Sequence, residues 1–250
     1  MLDTITVRRP AKAQESEPEG VRARANWPGE LSVLAIVARP GQESADLGAV
    51  LYACSHAGAA VALLSLSRGE ASPVNSSLEP LETIRPRELQ VAARVLGVDA
   101  VAVADYPDRR LAAIPPRKLS GRILRAIRTY EADLLLVVDP AGAGDEDAAV
   151  AAAAVFAGRR AGLPVVARTV CGRAGSWPLD LGPDAGGARA AQRSATAAHV
   201  SQSQVRPLIL RRLDALDDRE YLCWLSPVDA VRLSASSLLS APASAAQAVD

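Results

Sequence analysis

Histidine, cysteine and aromatic residues are all scarce in this chain of 250 residues. Two histidines, His56 and His199, are too few for the histidine-rich site that catalytic zinc favours. The three cysteines, Cys54, Cys171 and Cys223, form an odd set with no CxxC spacing. That excludes a disulfide framework and a thiolate zinc site, and it predicts reduced thiols in a cytoplasmic protein. Aromatics make up 3% of a chain that is 49% apolar, so alanine, valine and leucine must fill the core. The 28 Lys and Arg residues balance 28 Asp and Glu. The basic excess of a general nucleic-acid or anionic-membrane binder is therefore missing, and neither partner is expected. No apolar run approaches the roughly 20 residues of a membrane span. The opening MLDTITVRRPAKAQESEPEG has no apolar signal-peptide centre. Arginine far outnumbers lysine, a bias that predicts a GC-rich bacterial source.

What is present alternates. LSVLAIVA (31–38), AAVALLSLS (59–67), DAVAVADY (99–106), DLLLVVD (133–139) and LPVVARTV (163–170) each read as a short buried strand. Such runs belong to parallel strands covered on both faces. Between them, Leu47, Val50, Leu51 and Cys54 recur at helical spacing up to Gly58, and so do Leu119, Ile123, Leu124, Ile127 and Tyr130. Arg117, Lys118, Arg122, Arg125 and Arg128 lie mostly off that second stripe and read as a solvated face. Strand–helix alternation on this scale predicts an α/β fold: a Rossmann-like, doubly wound, mostly parallel sheet. Residues 1–29 read as a flexible tail, 30–233 as one domain, and the Ser/Ala-rich 234–250 as a second tail.

Ligands in such folds bind at the carboxyl ends of the strands, which gathers the loops after Ala38, Ser67, Tyr106 and Asp139 around one crevice. The usual crevice motifs are missing. ARPGQES carries a single glycine rather than GxGxxG, and neither a GxxxxGK[ST] loop nor a GxSxG elbow occurs. His56 falls late in the first helix, away from these loops, whereas His199 in AAHVSQSQ can reach them.

Six short stretches, in order over about residues 31–226, carry a resemblance. They are Ala38-Arg39-Pro40-Gly41-Gln42-Glu43, LSLSRGEAS (64–72), IRPRELQVAARVLGV (84–98), YPDRRL (106–111), VVDPAGAGDEDAAV (137–150) and AHVSQ (198–202). Together they resemble the PIG-L/LmbE-like de-N-acetylases, zinc-dependent enzymes that remove acetyl groups from N-acetylglucosamine derivatives. The resemblance implies that positions 39 and 42 would hold zinc, position 41 would be the general base and position 147 the third ligand. Here those positions are Arg39, Gln42, Gly41 and Asp147, and Gly144 stands where the family's His-Pro-Asp-His motif begins. A guanidinium has donors but no lone pair, so it repels a cation, and glycine cannot accept a proton. The zinc of the family is therefore expected to be absent and catalysis lost.

Two further expectations follow. Arg39 should take the vacated metal position and pair with Asp147, Asp145 or Glu146. Arg39, Gln42, Glu43, Arg68, Asp108 and His199 should bind a small polar or sugar-like ligand. Asp139, Asp145, Glu146 and Asp147 form an acidic cluster that could take Mg²⁺ or Ca²⁺, although acids that open a helix are explained by its dipole. Asp105 and Asp108 read as polar loop residues. An active amide hydrolase of altered, metal-free or acidic-cluster chemistry, a structural subunit of a biosynthetic complex, and a homo-oligomer or protein-partner role remain alternatives.

Overall fold

The computed structural model describes residues 4–5, 31–141, 144–170, 174–181 and 184–226. Apart from Thr4 and Ile5, the tails expected at 1–29 and 234–250 lie outside the described residues, as does Cys171.

Eight strands form one sheet: β1 (Thr4–Ile5), β2 (Ser32–Val37), β3 (Ala60–Ser67), β4 (Ala100–Tyr106), β5 (Leu134–Val138), β6 (Val165–Thr169), β7 (Ser176–Asp180) and β8 (Arg219–Ser226). Their spatial order is β1-β4-β3-β2-β5-β6-β8-β7. The run from β4 to β6 is parallel throughout, and the antiparallel pairs lie at the two ends. The five strands read from the sequence are those of the parallel run. The order reverses between β2 and β5, so the crevice beyond their carboxyl ends is the switch point where ligands bind in this architecture.

The helices are α1 (Gln42–Ala45), α2 (Gly48–His56), α3 (Leu81–Val95), α4 (Pro116–Tyr130), α5 (Asp145–Ala161), α6 (Ala185–Ala198) and α7 (Arg206–Asp214). The central strands β2, β3 and β5 are buried on both faces because alternate side chains enter two cores. Leu34 and Ile36 pack with Leu119 and Ile123 of α4 and Ala153, Ala154 and Ala157 of α5. Val33, Ala35 and Val37 pack with Val50 and Leu51 of α2, Leu89 of α3 and Ala195 of α6. Alanine on α5 and α6 lets helix and sheet approach closely, which is how a core nearly without aromatics fills its volume.

Local chemistry sets the helix ends. Pro116 opens α4, where its missing N–H costs nothing. Asp145, Glu146 and Asp147 occupy the first turn of α5, Arg159 and Arg160 its last, and Gly162 stops it at φ 70°. The apolar stripe from Leu47 to Cys54 continues a helix that starts earlier than expected and is broken. A four-residue α1 precedes it, ending where the Asp46 carboxylate and the Ala45 carbonyl receive Arg212 from α7.

Gly158 and Gly121 are both helical, and they separate packing from propensity. A Cβ at Gly158 would sit 2.6 Å from Val165 Cγ2 and 2.9 Å from the Leu163 carbonyl oxygen, whereas one at Gly121 meets nothing within 4 Å. Gly121→Ala should raise stability by about 0.5–1 kcal/mol. Gly158→Ala should lower it by about 1–3 kcal/mol. Urea unfolding of the two variants reads the opposite signs.

Candidate functional site

Strand β2 delivers the chain into the switch point, and the turn Arg39-Pro40-Gly41 redirects it into α1. Gly41 adopts φ 101°, a conformation that side-chain-bearing residues rarely hold. Arg85 of α3, 4% exposed, supports this turn from below. Its Nη2 donates to the Pro40 carbonyl at 2.5 Å and its Nη1 to the Gly69 carbonyl. One guanidinium thus ties the loop after β2 to the loop after β3. The contact explains Gly69 (φ 73°), where a Cβ would fall 2.2 Å from Arg85 Nη1. Burial holds the Arg85 pKa below its ordinary value, and the nearby Asp108 and Glu43 carboxylates oppose that shift.

Gln42 bridges the crevice. Its Oε1 accepts the backbone N–H of Ala38 at 2.9 Å and of Arg39 at 3.3 Å. The amide orientation is fixed by this, because only its oxygen can accept. Its Nε2 then donates to Asp147 Oδ1 at 2.6 Å, linking the end of β2 to the first turn of α5. The expected pairing of Arg39 with Asp147, Asp145 or Glu146 is therefore corrected. Gln42 holds Asp147, and Arg39 turns toward the loop after β4, where its Nη1 lies 3.7 Å from Asp108 Oδ1.

A buried polar column stands behind the turn. Glu43, fully buried, accepts the Gly41 N–H at 2.6 Å and the Ser44 hydroxyl at 2.6 Å, and faces His199 Nε2 at 2.6 Å. Burial alone would raise the Glu43 pKa. The facing His199 and the hydrogen bonds outweigh it and hold the carboxyl below its ordinary value. Glu88 of α3 lies 3.9 Å from His199 Nδ1 and receives the Ser201 N–H at 2.6 Å and hydroxyl at 2.7 Å. Ser44, His199 and Glu88 resemble a nucleophilic triad in order alone. Ser44 is fully buried and gives its hydroxyl to Glu43, so it is not presented to a substrate.

The remaining expected residues are dispersed. Asp108, 4% exposed, takes the Ala71 N–H at 3.1 Å and the Ser67 hydroxyl at 3.3 Å, and is thus a buried anchor rather than a loop ornament. Asp105 pairs with Arg122 at 3.2 Å, so the two aspartates do not act as a carboxylate pair. Arg68 is half-buried and does not line the cavity described below. His56 is exposed and stacks on Tyr52, its ring centroid 3.6 Å away. The acidic cluster does not converge. Asp139 binds Thr169 Oγ1 and the Ala141 N–H, Glu146 takes the Ala112 N–H at 3.2 Å, Asp147 takes Gln42, and Asp145 is exposed. Among the described residues no three His, Cys, Asp or Glu side chains come together as a metal site.

The donor set at the position where the family holds zinc does not fit that ion. Arg39 offers no lone pair, the Gln42 oxygen is committed to two backbone N–H groups, and the Gln42 N–H₂ faces Asp147, the one carboxylate there. Beside it opens a cavity of about 270 Å³. Its walls come from the first loop (Arg39 to Gln42), from Arg85, from His199 and from the face of α7 carrying Arg206, Ile209 and Arg212.

A parallel sheet with ligand groups gathered at its switch point defines a Rossmann-type α/β domain. A family model described as PIG-L, GlcNAc-PI de-N-acetylase, matches residues 34–157 of this chain. No curated protein matches it. Among solved structures it is similar to a deacetylase of the teicoplanin pathway (18% identity, TM-score 0.58, covering 77% of this chain and 96% of that one). It is also similar to N,N'-diacetylchitobiose deacetylase from Pyrococcus horikoshii (15%, TM-score 0.60, covering 78% and 83%). A third is GalB, the 4-carboxy-2-hydroxymuconate hydratase from Pseudomonas putida (18%, TM-score 0.60, covering 79% and 97%). At these identities the likeness establishes the shared fold.

Two outcomes follow from the site. Gln42→Ala leaves buried Asp147 and two backbone N–H groups without their partner and should cost about 1–3 kcal/mol. Arg39→Ala, at a longer contact in which the Arg39 side chain is 31% exposed, should cost less than about 1 kcal/mol; chemical denaturation compares them. Glu43, with its folded pKa depressed, contributes stability that is complete above its ordinary value of 4.5 and is lost as pH falls through the lower folded value. Glu43→Gln should therefore be less stable at pH 7 and should flatten the loss of stability below about pH 4.5. A titration of thermal midpoint against pH measures both.

Proposed function

We propose that this chain is a catalytically silent member of the PIG-L family that retains the crevice as a binding site for a small polar ligand. The observation that carries the reading is the Gln42–Asp147 hydrogen bond of 2.6 Å. It joins two positions that the family resemblance assigns to zinc and uses up the carboxylate that an ion would need. A metal-bound water, which such a hydrolase uses as its nucleophile, then has no site. Position 41 supplies no base, and its left-handed φ strains any side chain placed there. The expected ligand set regroups: Arg39, Gln42 and His199 line the cavity, while Glu43 and Asp108 position the residues that do. A hydratase among the similar structures supports the view that this fold does not commit its crevice to amide hydrolysis.

The test joins metal content to activity. Purified full-length protein should carry far less than one zinc per chain by elemental analysis, and should not hydrolyse N-acetylglucosamine-type amides with or without added zinc. Loss of a general base alone removes about 10² to 10⁴ in rate. One tightly held zinc per chain together with zinc-stimulated deacetylation would overturn the reading.

A further inference from the structure

The cavity beside the first loop carries more positive charge than its own ion pairs consume. Four arginines line it, Arg39, Arg85, Arg206 and Arg212, and Asp46 is the acidic residue among the lining groups. Arg212 is satisfied by Asp46 at 2.8 Å and the Ala45 carbonyl at 2.7 Å, and Arg39 faces Asp108 at 3.7 Å. Arg85 and Arg206 differ from these. Arg85 is 4% exposed, is pinned by two carbonyl oxygens, and keeps a buried Nε with no partner among the described residues. Arg206 Nε is likewise buried and without a partner among the described residues. A buried guanidinium N–H left unmade is costly unless something accepts it. Here the two such groups come from different elements, α3 and the start of α7, and line one cavity.

We infer that the cavity is a site for a small organic anion, whose carboxylate or phosphate is received by Arg85 and Arg206, with Arg39 at its rim. The inference rests on the ligand-binding reading above and names the chemical class of the ligand. Guanidinium forks match both anions, because planar paired N–H groups meet two oxygens at once. A volume of about 270 Å³ suits a metabolite rather than a polymer. The pinned Arg85 supplies a preorganised donor, so ordering it costs the ligand little.

The experiment is isothermal titration of the full chain at constant ionic strength with inorganic phosphate, with citrate and with neutral N-acetylglucosamine. Saturable binding of phosphate or citrate, weakened about tenfold or more by Arg206→Gln and unchanged by Arg128→Gln on the far helix, supports the inference. The tighter of the two anions tells carboxylate from phosphate. Arg206 is only half-buried, so its variant tests the site without removing the Arg85 support; an unaltered thermal midpoint confirms that it is folded. Anion binding that Arg206→Gln leaves unchanged, or no anion binding up to millimolar concentration, overturns the inference. Binding of N-acetylglucosamine alone overturns the anion and leaves the ligand-binding reading standing. Zinc content and hydrolysis, measured on the same preparation, decide that reading separately.

Discussion

The amide of Gln42 closes the point where the sheet reverses its strand order. Two backbone N–H groups at the end of β2 fix its oxygen, and that leaves its nitrogen facing Asp147 on α5. The loop after β2 and the first turn of α5 are registered against this bridge, and the loop after β3 is tied to it through Arg85. The first loop is set by it, Arg85 is seated under that loop, and Gly69 is held by Arg85. An amide can make this link because it is donor and acceptor at once. A carboxylate at position 42 would face Asp147 as a like charge and would repel it unless a cation or a proton lay between.

Behind the bridge, buried charge serves geometry as well as stability. Glu43 with His199, Glu88 with Ser201, and Arg189 with Glu220 (2.5 Å) are each more than nine-tenths buried. Taking charges out of water is costly, and it is repaid only where partners are well placed, so such pairs specify positions. Their positions matter here. Glu43 fixes the left-handed turn through Gly41, and Glu88 fixes the 3₁₀ turn after His199 from which α7 departs. The first loop and α7 are two walls of the cavity, so the two carboxylates set its width.

Much of the fold was legible because the five parallel strands are continuous apolar runs and the helices carry clean stripes or end signals. β7 and β8 escaped for physical reasons. Pro178 sits within β7, as only an edge strand allows, and the short apolar run 221–225 of β8 follows Arg219 and Glu220, whose charges read as solvated although Glu220 is buried against Arg168 and Arg189. The first-loop residues and His199 were reachable through the motif order. Arg85 and Glu88 lay inside the quoted stretch 84–98 without being singled out, because a charge on a helix reads as solvated until its burial is known. Arg206 and Arg212 belong to no motif at all. Their place in the site depends on where α7 packs, which no local pattern encodes. The Arg39 pairing failed because two residues three positions apart, Arg39 and Gln42, can both reach an acidic partner, and the residue anchored by its own backbone neighbours holds it.

The same positions show what kind of field the crevice carries. A metal ion concentrates charge at one point and needs lone pairs around it. Guanidinium groups spread the charge over several donors and need acceptors instead. Arg39 places a cation at the crevice, and Gln42 places a strut across it. The positive charge then sits on the walls, at Arg85, Arg206 and Arg212, rather than at the centre. Three of these four arginines are held by protein groups, Arg39 by Asp108, Arg85 by two carbonyls and Arg212 by the α1 terminus. Their donors are therefore aimed before any ligand arrives. In a narrow space with low-dielectric walls, fixed dipoles and charges act more strongly than the same groups in water. Selectivity in such a cavity would come from where the acceptors of a guest fall relative to fixed donors, and hardly from its shape. The apolar contribution of the walls comes from Ala45, Val205, Ile209 and the Pro40 ring.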